Sequence, residues 1–237
     1  IYNSFDNEGI KAKSIEPISE KFNIIFNHPI VITCGRLVLQ KNHKGLLNAV
    51  SLAFEMTNFK LVIVGDGPLK TELLNQSEKL NLKVYVEGRD NNISSDYQIY
   101  FLGFQKNPFS FMKLAKVFVL TSDWEGFPLA PCEAMICGLP VISADCPTGP
   151  REILSPDSSP LANVNLQKAE YAKYGILMPM LQPVNENKGD SIWAQAIVNL
   201  IEDKKLMEEY ANKGKIRMRE LGLENINNEW GKLLQKI

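Results

Sequence analysis

The chain has 237 residues, 45% of them hydrophobic, with 26 Lys and Arg against 27 Asp and Glu for a formal net charge of −1. That length buries one good-sized core with short appendages, and the even charge balance gives no electrostatic footprint for nucleic acid. No apolar run approaches the ~20 residues needed to cross a bilayer, and Cys34, Cys132, Cys137 and Cys146 lack C-x-x-C spacing and lie mostly in apolar segments, as core thiols of a reducing compartment do.

The first strongly apolar segment, Ile30–Cys34, reads as a strand and runs straight into GRLVLQKNHKG. Arg36 and Lys41 stand five apart in the loop at its carboxyl end, a planar fork and a point charge that together can neutralise a diphosphate; a solvated basic turn is the alternative. His28 and His43 sit in ordinary loop or helix-cap settings. Lys60–Val64 reads as a second strand, followed by Gly65-Asp66-Gly67-Pro68 and a helix through Leu80. Lys70 occupies the place of the third glycine of G-x-G-x-x-G, so the dinucleotide fingerprint is broken. Lys83–Val86 and Ile99–Leu102 read as strands flanking a polar loop from Glu87 to Asp96. The loop Phe104-Gln105-Lys106-Asn107-Pro108 then leads into a short amphipathic helix.

Val117–Leu120 reads as another strand, and its loop carries Glu125, Gly126, Phe127 and Pro128 into a helix containing Glu133. Pro128 suits the first helical turn, where its missing N–H costs nothing, and the N–H groups around Gly126 and Phe127 suit an anion such as phosphate. If the intervening residues are helical, Glu125 and Glu133 lie just over two turns apart. A carboxylate accepts from two neighbouring hydroxyls at once, so the pair suits a ligand with diols at both ends. Pro140–Ser143 reads as the next strand, and DCPTGPRE follows it. There Gly149 and Pro150 begin a further helix, with Thr148 and Gly149 offering N–H groups to the same cleft; Arg151 and Glu152 read as an exposed structural pair, with support of the site's own residues from behind as the alternative. Strand, loop, helix, strand is the unit of a parallel α/β sheet, which binds ligands beyond the carboxyl ends of its strands. Ser155–Ala172 shows no strong periodicity. A strand at Gly175–Met178 and helices over Ser191–Ile201, Lys204–Leu221 and Asn225–Lys236 complete the chain.

EGFPLAPCE followed by the PVI strand resembles the E-x7-E signature of retaining glycosyltransferases of family 4, which have the GT-B fold. The resemblance implies that Glu125 contacts the transferred sugar, that Glu133 holds the nucleotide ribose, and that Arg36 and Lys41 clamp the donor's phosphates. It places Gly65 in the family's glycine turn and the backbone of Phe104–Asn107 near the nucleobase. It implies no cofactor and no metal, in keeping with the lack of a D-x-D motif. The donor is then a nucleotide diphosphate sugar, a UDP-sugar favoured over GDP-mannose, and the nearest resemblance is to bacterial enzymes of lipid-linked oligosaccharide, lipopolysaccharide or capsule synthesis. The opening Ile1-Tyr2-Asn3-Ser4-Phe5-Asp6 resembles the family's segment that crosses between domains. On that basis residues 1–28 are the crossing segment and linker, 29–222 the Rossmann-like nucleotide-sugar domain, and 223–237 a helix packing back on a missing amino-terminal domain that binds a glycan or lipid-linked acceptor. A cytoplasmic location is implied, with peripheral contact of the full-length enzyme at the inner face of a membrane.

Two other classes fit less well. A nucleotide-sugar epimerase of GT-B shape needs several catalytic acids and histidines, and only two histidines are present. A dinucleotide-dependent oxidoreductase needs the glycine fingerprint after its first strand, where this chain has Gly35-Arg36. A nucleotide-binding module without catalysis is the third reading.

Overall fold

The computed structural model describes residues 2–158, 166–181 and 188–235. Eight strands form one sheet: β1 (Ile30–Cys34), β2 (Lys60–Val64), β3 (Val84–Val86), β4 (Ile99–Gly103), β5 (Val117–Leu120), β6 (Val141–Ala144), β7 (Glu170–Tyr171) and β8 (Ile176–Met178). Their order is β3-β4-β2-β1-β5-β6-β8-β7, parallel throughout except for the antiparallel β7–β8 edge. Every residue of β1, β2, β5 and β6 is buried, which is why these segments are nearly continuous apolar runs: helices cover both faces, so neither face can be polar. Thr33, Lys60 and Ser143 are the polar exceptions, and the charged one, Lys60, donates from its Nζ to the Ser95 carbonyl at 2.7 Å.

Nine helices are described: α1 (Asn7–Ser14), α2 (His43–Phe54), α3 (Lys70–Lys79), α4 (Pro108–Leu114), α5 (Leu129–Ile136), α6 (Pro150–Leu154), α7 (Lys188–Glu202), α8 (Lys204–Glu220) and α9 (Leu223–Leu234). Successive strand residues face opposite sides, and the core divides accordingly. Val31, Leu61, Ile63, Val117, Val119 and Ile142 pack with Leu46, Leu47 and Val50 of α2 and Trp193 and Ile197 of α7. Ile30, Ile32, Val62, Phe118 and Val141 pack with Phe111 of α4, Cys132 and Met135 of α5 and Ile226 of α9. Helix α8 serves both clusters, with Tyr210 on the first and Met218 on the second. The four cysteines are free and buried, as expected of core thiols.

The element bounds shift in places. Strand β6 starts and ends one residue after the expected Pro140–Ser143, Gly175 precedes β8, and Lys83 precedes β3. Helix α7 begins three residues before Ser191, and α9 begins two before Asn225; Lys236 lies outside the described residues. Within the stretch 155–172, residues 159–165 lie outside the description, while Glu170 and Tyr171 form β7. Two residues are too short to show an alternation, so β7 had no readable period. Among residues 2–28, Phe5, Phe22 and Ile25 are buried in the domain. The Phe5 N–H donates to the Leu221 carbonyl at 3.1 Å, and the Leu223 N–H donates to Phe5 at 3.2 Å.

From β1 the chain steps outward through β2 to β3 and β4, then returns to lay β5 on the other side of β1. The strand order therefore reverses between β1 and β5, and the loops leaving their carboxyl ends part there to form a crevice, the usual ligand position of an open α/β sheet.

Candidate functional site

The loop after β1 carries Gly35 to Asn42 along one wall of the crevice. It rests on the glycine turn after β2: the Leu37 N–H donates to the Asp66 carbonyl at 3.0 Å, and the Leu69 N–H donates back to Leu37 at 3.1 Å. Gly65, at φ +141°, crosses Gly35 so closely that a Cβ there would lie 1.9 Å from the Gly35 oxygen. Gly65 thus makes a backbone-to-backbone crossing beneath the Arg36 loop. Arg36 itself is exposed, and its guanidinium has no hydrogen-bond or ion-pair partner among the described residues. Asn42, in the left-handed region at φ 44°, caps α2 by accepting from the Gly45 N–H at 3.0 Å. Asn tolerates that conformation better than most residues. His43 is the first residue of α2 rather than its cap. It is buried, its Nδ1 has no partner among the described residues, and burial followed by the Lys41 charge pulls its pKa down to about 4.

The opposite wall is the loop from β5 to α5. Lys41 Nζ reaches across the crevice to Glu125 Oε1 at 2.6 Å, with the Glu125 side chain only 7% exposed. Ser122 Oγ donates to the same oxygen at 2.6 Å. Gln40 Nε2 donates to the Trp124 carbonyl at 2.8 Å and approaches Glu125 Oε2 at 3.5 Å. Further bonds join the two walls: Thr121 Oγ1 to the Lys41 carbonyl at 2.9 Å, the Asp123 N–H to the Gln40 carbonyl at 2.8 Å, and Asn42 Nδ2 to Asp123 Oδ1 at 2.7 Å. Burial raises the Asp123 pKa, and the Asn42 bond opposes the rise. Two of the expected site residues, Lys41 and Glu125, thus meet directly, through a network whose other members are short polar loop residues with no readable sequence signal. Asn42 alone had one, as an Asn ahead of an apolar helical pattern.

Helix α5 begins at Leu129, later than expected. Pro128 is its extended N-cap, at φ −68° and ψ 123°, and not a first-turn residue. A second proline, Pro131, takes the first turn instead. Glu125 is consequently in the loop, so the two glutamates do not share a helical face. The N–H groups of Gly126 and Phe127 have no acceptor among the described residues. The Phe127 ring packs against Tyr2 and Phe5, with centroids 5.3 and 6.5 Å away. Glu133 sits within α5, and its carboxylate has no hydrogen-bond or ion-pair partner among the described residues. Burial raises its pKa; burial also raises the Cys34 and Cys137 thiols, and the Glu133 charge adds to both. A partly buried carboxylate without a donor beside the end of β1 is ready to accept hydrogen bonds from a ligand.

The loop after β6 closes over Glu125. The Glu125 N–H donates to the Pro147 carbonyl at 2.8 Å, and the Thr148 N–H donates to the Glu125 carbonyl at 2.9 Å. The Gly149 N–H bonds to Glu152 Oε1 at 3.2 Å. The N–H groups of Thr148 and Gly149 are therefore spent on internal bonds, contrary to expectation, because the loop must satisfy its own backbone where it abuts Gly126. Arg151 does not pair with Glu152 on the surface. It is buried and makes bonds to Asp145, at 3.0 Å from Nε and 2.5 Å from Nη2, and to Glu170 at 2.9 Å. Helix α6 turns Arg151 inward, where a fork of donors needs two acceptors.

On the far side of Gly35, the loop after β4 presents an 80% exposed Phe104 and an exposed Lys106. Gln105 Nε2 donates to the Leu102 carbonyl at 2.7 Å. Asn107 is occupied structurally: its Oδ1 caps α4 through the Phe109 N–H at 3.2 Å, and its Nδ2 donates to the Lys13 carbonyl at 2.9 Å and Glu16 Oε2 at 2.7 Å.

A parallel sheet with a cationic and acidic crevice at its switch point defines a Rossmann-like ligand-binding domain. The chain belongs to the glycosyl transferases group 1 family, which matches residues 14–174. An uncharacterized glycosyltransferase of Methanocaldococcus jannaschii is 36% identical over 98% of this chain and 56% of its own length. The N-acetylgalactosamine-N,N'-diacetylbacillosaminyl-diphospho-undecaprenol 4-alpha-N-acetylgalactosaminyltransferase of Campylobacter jejuni is 31% identical over 92% of this chain and 48% of its own. The chain thus spans about half the length of these relatives. Among solved structures, Anabaena HepE in complex with UDP aligns at a TM-score of 0.74 with 21% identity, covering 100% of this chain and 57% of that one. The pneumococcal O-GlcNAc transferase GtfA in complex with UDP and GlcNAc aligns at 0.67 with 20% identity, covering 99% and 44%. The fold is that of one half of a GT-B glycosyltransferase.

Proposed function

We propose that this chain is the donor-binding domain of a retaining, family 4-like glycosyltransferase that moves a hexose or N-acetylhexosamine from a nucleotide diphosphate sugar, a UDP-sugar first, to a glycan or lipid-linked acceptor of the cell envelope. The observation that carries the reading is the Lys41–Glu125 pair across the switch point, with Arg36 on one side of it and Glu133 beyond it, both unpaired among the described residues. A nucleotide diphosphate sugar has what each group lacks. Its diphosphate answers Arg36, Lys41 and the free N–H groups of Gly126 and Phe127. Its ribose answers Glu133, and its sugar hydroxyls answer Glu125. When the bond from the sugar to the diphosphate breaks, negative charge grows on the phosphate oxygens, and fixed donors aimed at them stabilise that charge without reorganising. Arg36 and Lys41 carry this load without a metal. The acceptor, held by chain beyond this domain, must approach the sugar from the open side of the crevice, and this domain alone binds donor without transferring it. The UDP named with HepE and GtfA and the undecaprenol-linked acceptor in the name of the Campylobacter relative support the choice of donor and acceptor classes.

Calorimetric titration with UDP, GDP and their sugars tests the reading. Glu133→Gln should weaken every nucleotide about tenfold or more, because it replaces a hydrogen bond to a charged acceptor by a weaker one. Glu125→Gln should spare the free nucleotide and weaken only the nucleotide sugar. Absence of nucleotide binding by the unsubstituted chain refutes the reading.

A further inference from the structure

The two residues that follow β5, Thr121 and Ser122, are both buried, and each spends its hydroxyl on the opposite partner of the switch-point pair. Thr121 Oγ1 donates to the backbone carbonyl of Lys41 at 2.9 Å. Ser122 Oγ donates to the carboxylate of Glu125 at 2.6 Å. A buried hydroxyl needs a partner, but these partners are the two members of the Lys41–Glu125 ion pair, held from adjacent positions just after the end of β5. We propose that Thr121 and Ser122 are positioning residues that set the two ends of the donor site separately, Thr121 the diphosphate end through Lys41 and Ser122 the sugar end through Glu125.

The division follows from which oxygens are used. Glu125 Oε1 accepts from both Ser122 Oγ and Lys41 Nζ at 2.6 Å, whereas among the described residues Oε2 has only the 3.5 Å approach of Gln40 Nε2. Ser122 thereby fixes the carboxyl plane with Oε1 turned inward and Oε2 left to accept from an incoming hydroxyl. It also keeps Oε1 satisfied when an anionic ligand draws Lys41 away. Without that bond a largely buried carboxylate would lose its remaining donor on the Oε1 side, at the moment the ligand arrives. Thr121 acts on the backbone. Its bond holds the turn that ends at Asn42, and the direction of that turn decides where the Lys41 stem enters the crevice.

The inference rests on the donor-binding reading above, and the test separates the two. This chain and its Ser122→Ala and Thr121→Val variants are titrated with UDP, UDP-glucose, UDP-galactose and the two N-acetylamino forms of these sugars. The readout is the ratio of affinities between the best UDP-sugar and UDP. In Ser122→Ala, UDP affinity should stay within about twofold while the ratio falls about tenfold. In Thr121→Val, which keeps the shape and removes only the hydroxyl, both affinities should fall together by about fivefold with the ratio unchanged. A substitution that merely loosened the loop would not sort the two ligands in opposite ways. Equal losses of UDP and UDP-sugar in Ser122→Ala, a changed ratio in Thr121→Val, or variants that match the unsubstituted chain would each overturn the inference while leaving the donor-binding reading intact. So would an unsubstituted chain that binds UDP but gains nothing from any of the four sugars. If the unsubstituted chain binds none of the five ligands, the donor-binding reading itself falls.

Discussion

Burial and the neighbouring Lys41 charge hold the His43 imidazole neutral, with its pKa near 4 against an ordinary 6.5. The sign of the consequence is fixed. Between those two values the unfolded chain binds a proton that the folded chain refuses, so this residue's contribution to stability is present above pH 6.5 and is lost as the pH falls toward 4. From pH 7 to pH 5 the loss should come to about 2 kcal/mol. Urea denaturation at the two pH values measures it, and His43→Phe should remove most of the difference; an unchanged difference would locate the acid sensitivity in other groups. At this scale the sequence marked candidate residues, and the structure brings two of them, Lys41 and Glu125, into contact, a pairing the sequence did not show. Arg36, Lys41 and Glu125 stood out as candidates because they are charged residues in loops at the carboxyl ends of strands, and Glu133 because of its spacing from Glu125. Ser122, Thr121 and Gln40 did not, because hydroxyls and amides in loops usually serve the loop itself. Arg151 was misplaced onto the surface for a related reason: its acceptors Asp145 and Glu170 lie outside its own helix, six and nineteen positions away, and charge alone does not reveal burial.

The glycine turn and the Arg36 loop interlock as one element. With the Gly65 Cβ position 1.9 Å from the Gly35 oxygen and φ at +141°, an alanine at 65 must push two strand ends apart or adopt a strained backbone. Gly65→Ala should cost about 2–4 kcal/mol. Gly126, whose Cβ position meets nothing within 4 Å, should accept alanine at a cost within about 0.5 kcal/mol. Thermal melts of the two variants compare them directly, and similar melting temperatures would show that the crossing has room to relax. The strands β1, β2 and β5 could be read to the residue, because each is built on a short, mainly apolar run ended by a polar or glycine residue. The start of α5 could not. Pro128 satisfies the rule for a first-turn residue, but Pro131 satisfies it equally three positions on, and only the path of the loop decides between them.

For the molecule as a whole, a parallel sheet between helices followed from strands apolar on both faces alternating with amphipathic helices. The strand order did not, since all-apolar strands carry no facial pattern by which neighbours identify one another. Nor did the contact of residues 2–7 with the corner between α8 and α9. There the Phe5 backbone pairs with Leu221 and Leu223, and Asn7 Nδ2 reaches the Met218 carbonyl at 2.7 Å across 211 residues of sequence. Closing so long a loop gains few bonds for the freedom it removes, so this corner should be a small unit that opens and closes on its own clock while the sheet stays shut. Amide hydrogen exchange reads that clock. Phe5 and Leu223 should exchange with the same opening free energy, because one event exposes both, and with far less protection than Val31 or Val62 in the sheet. Different rates for the two amides would mean that the corner frays from one strand at a time.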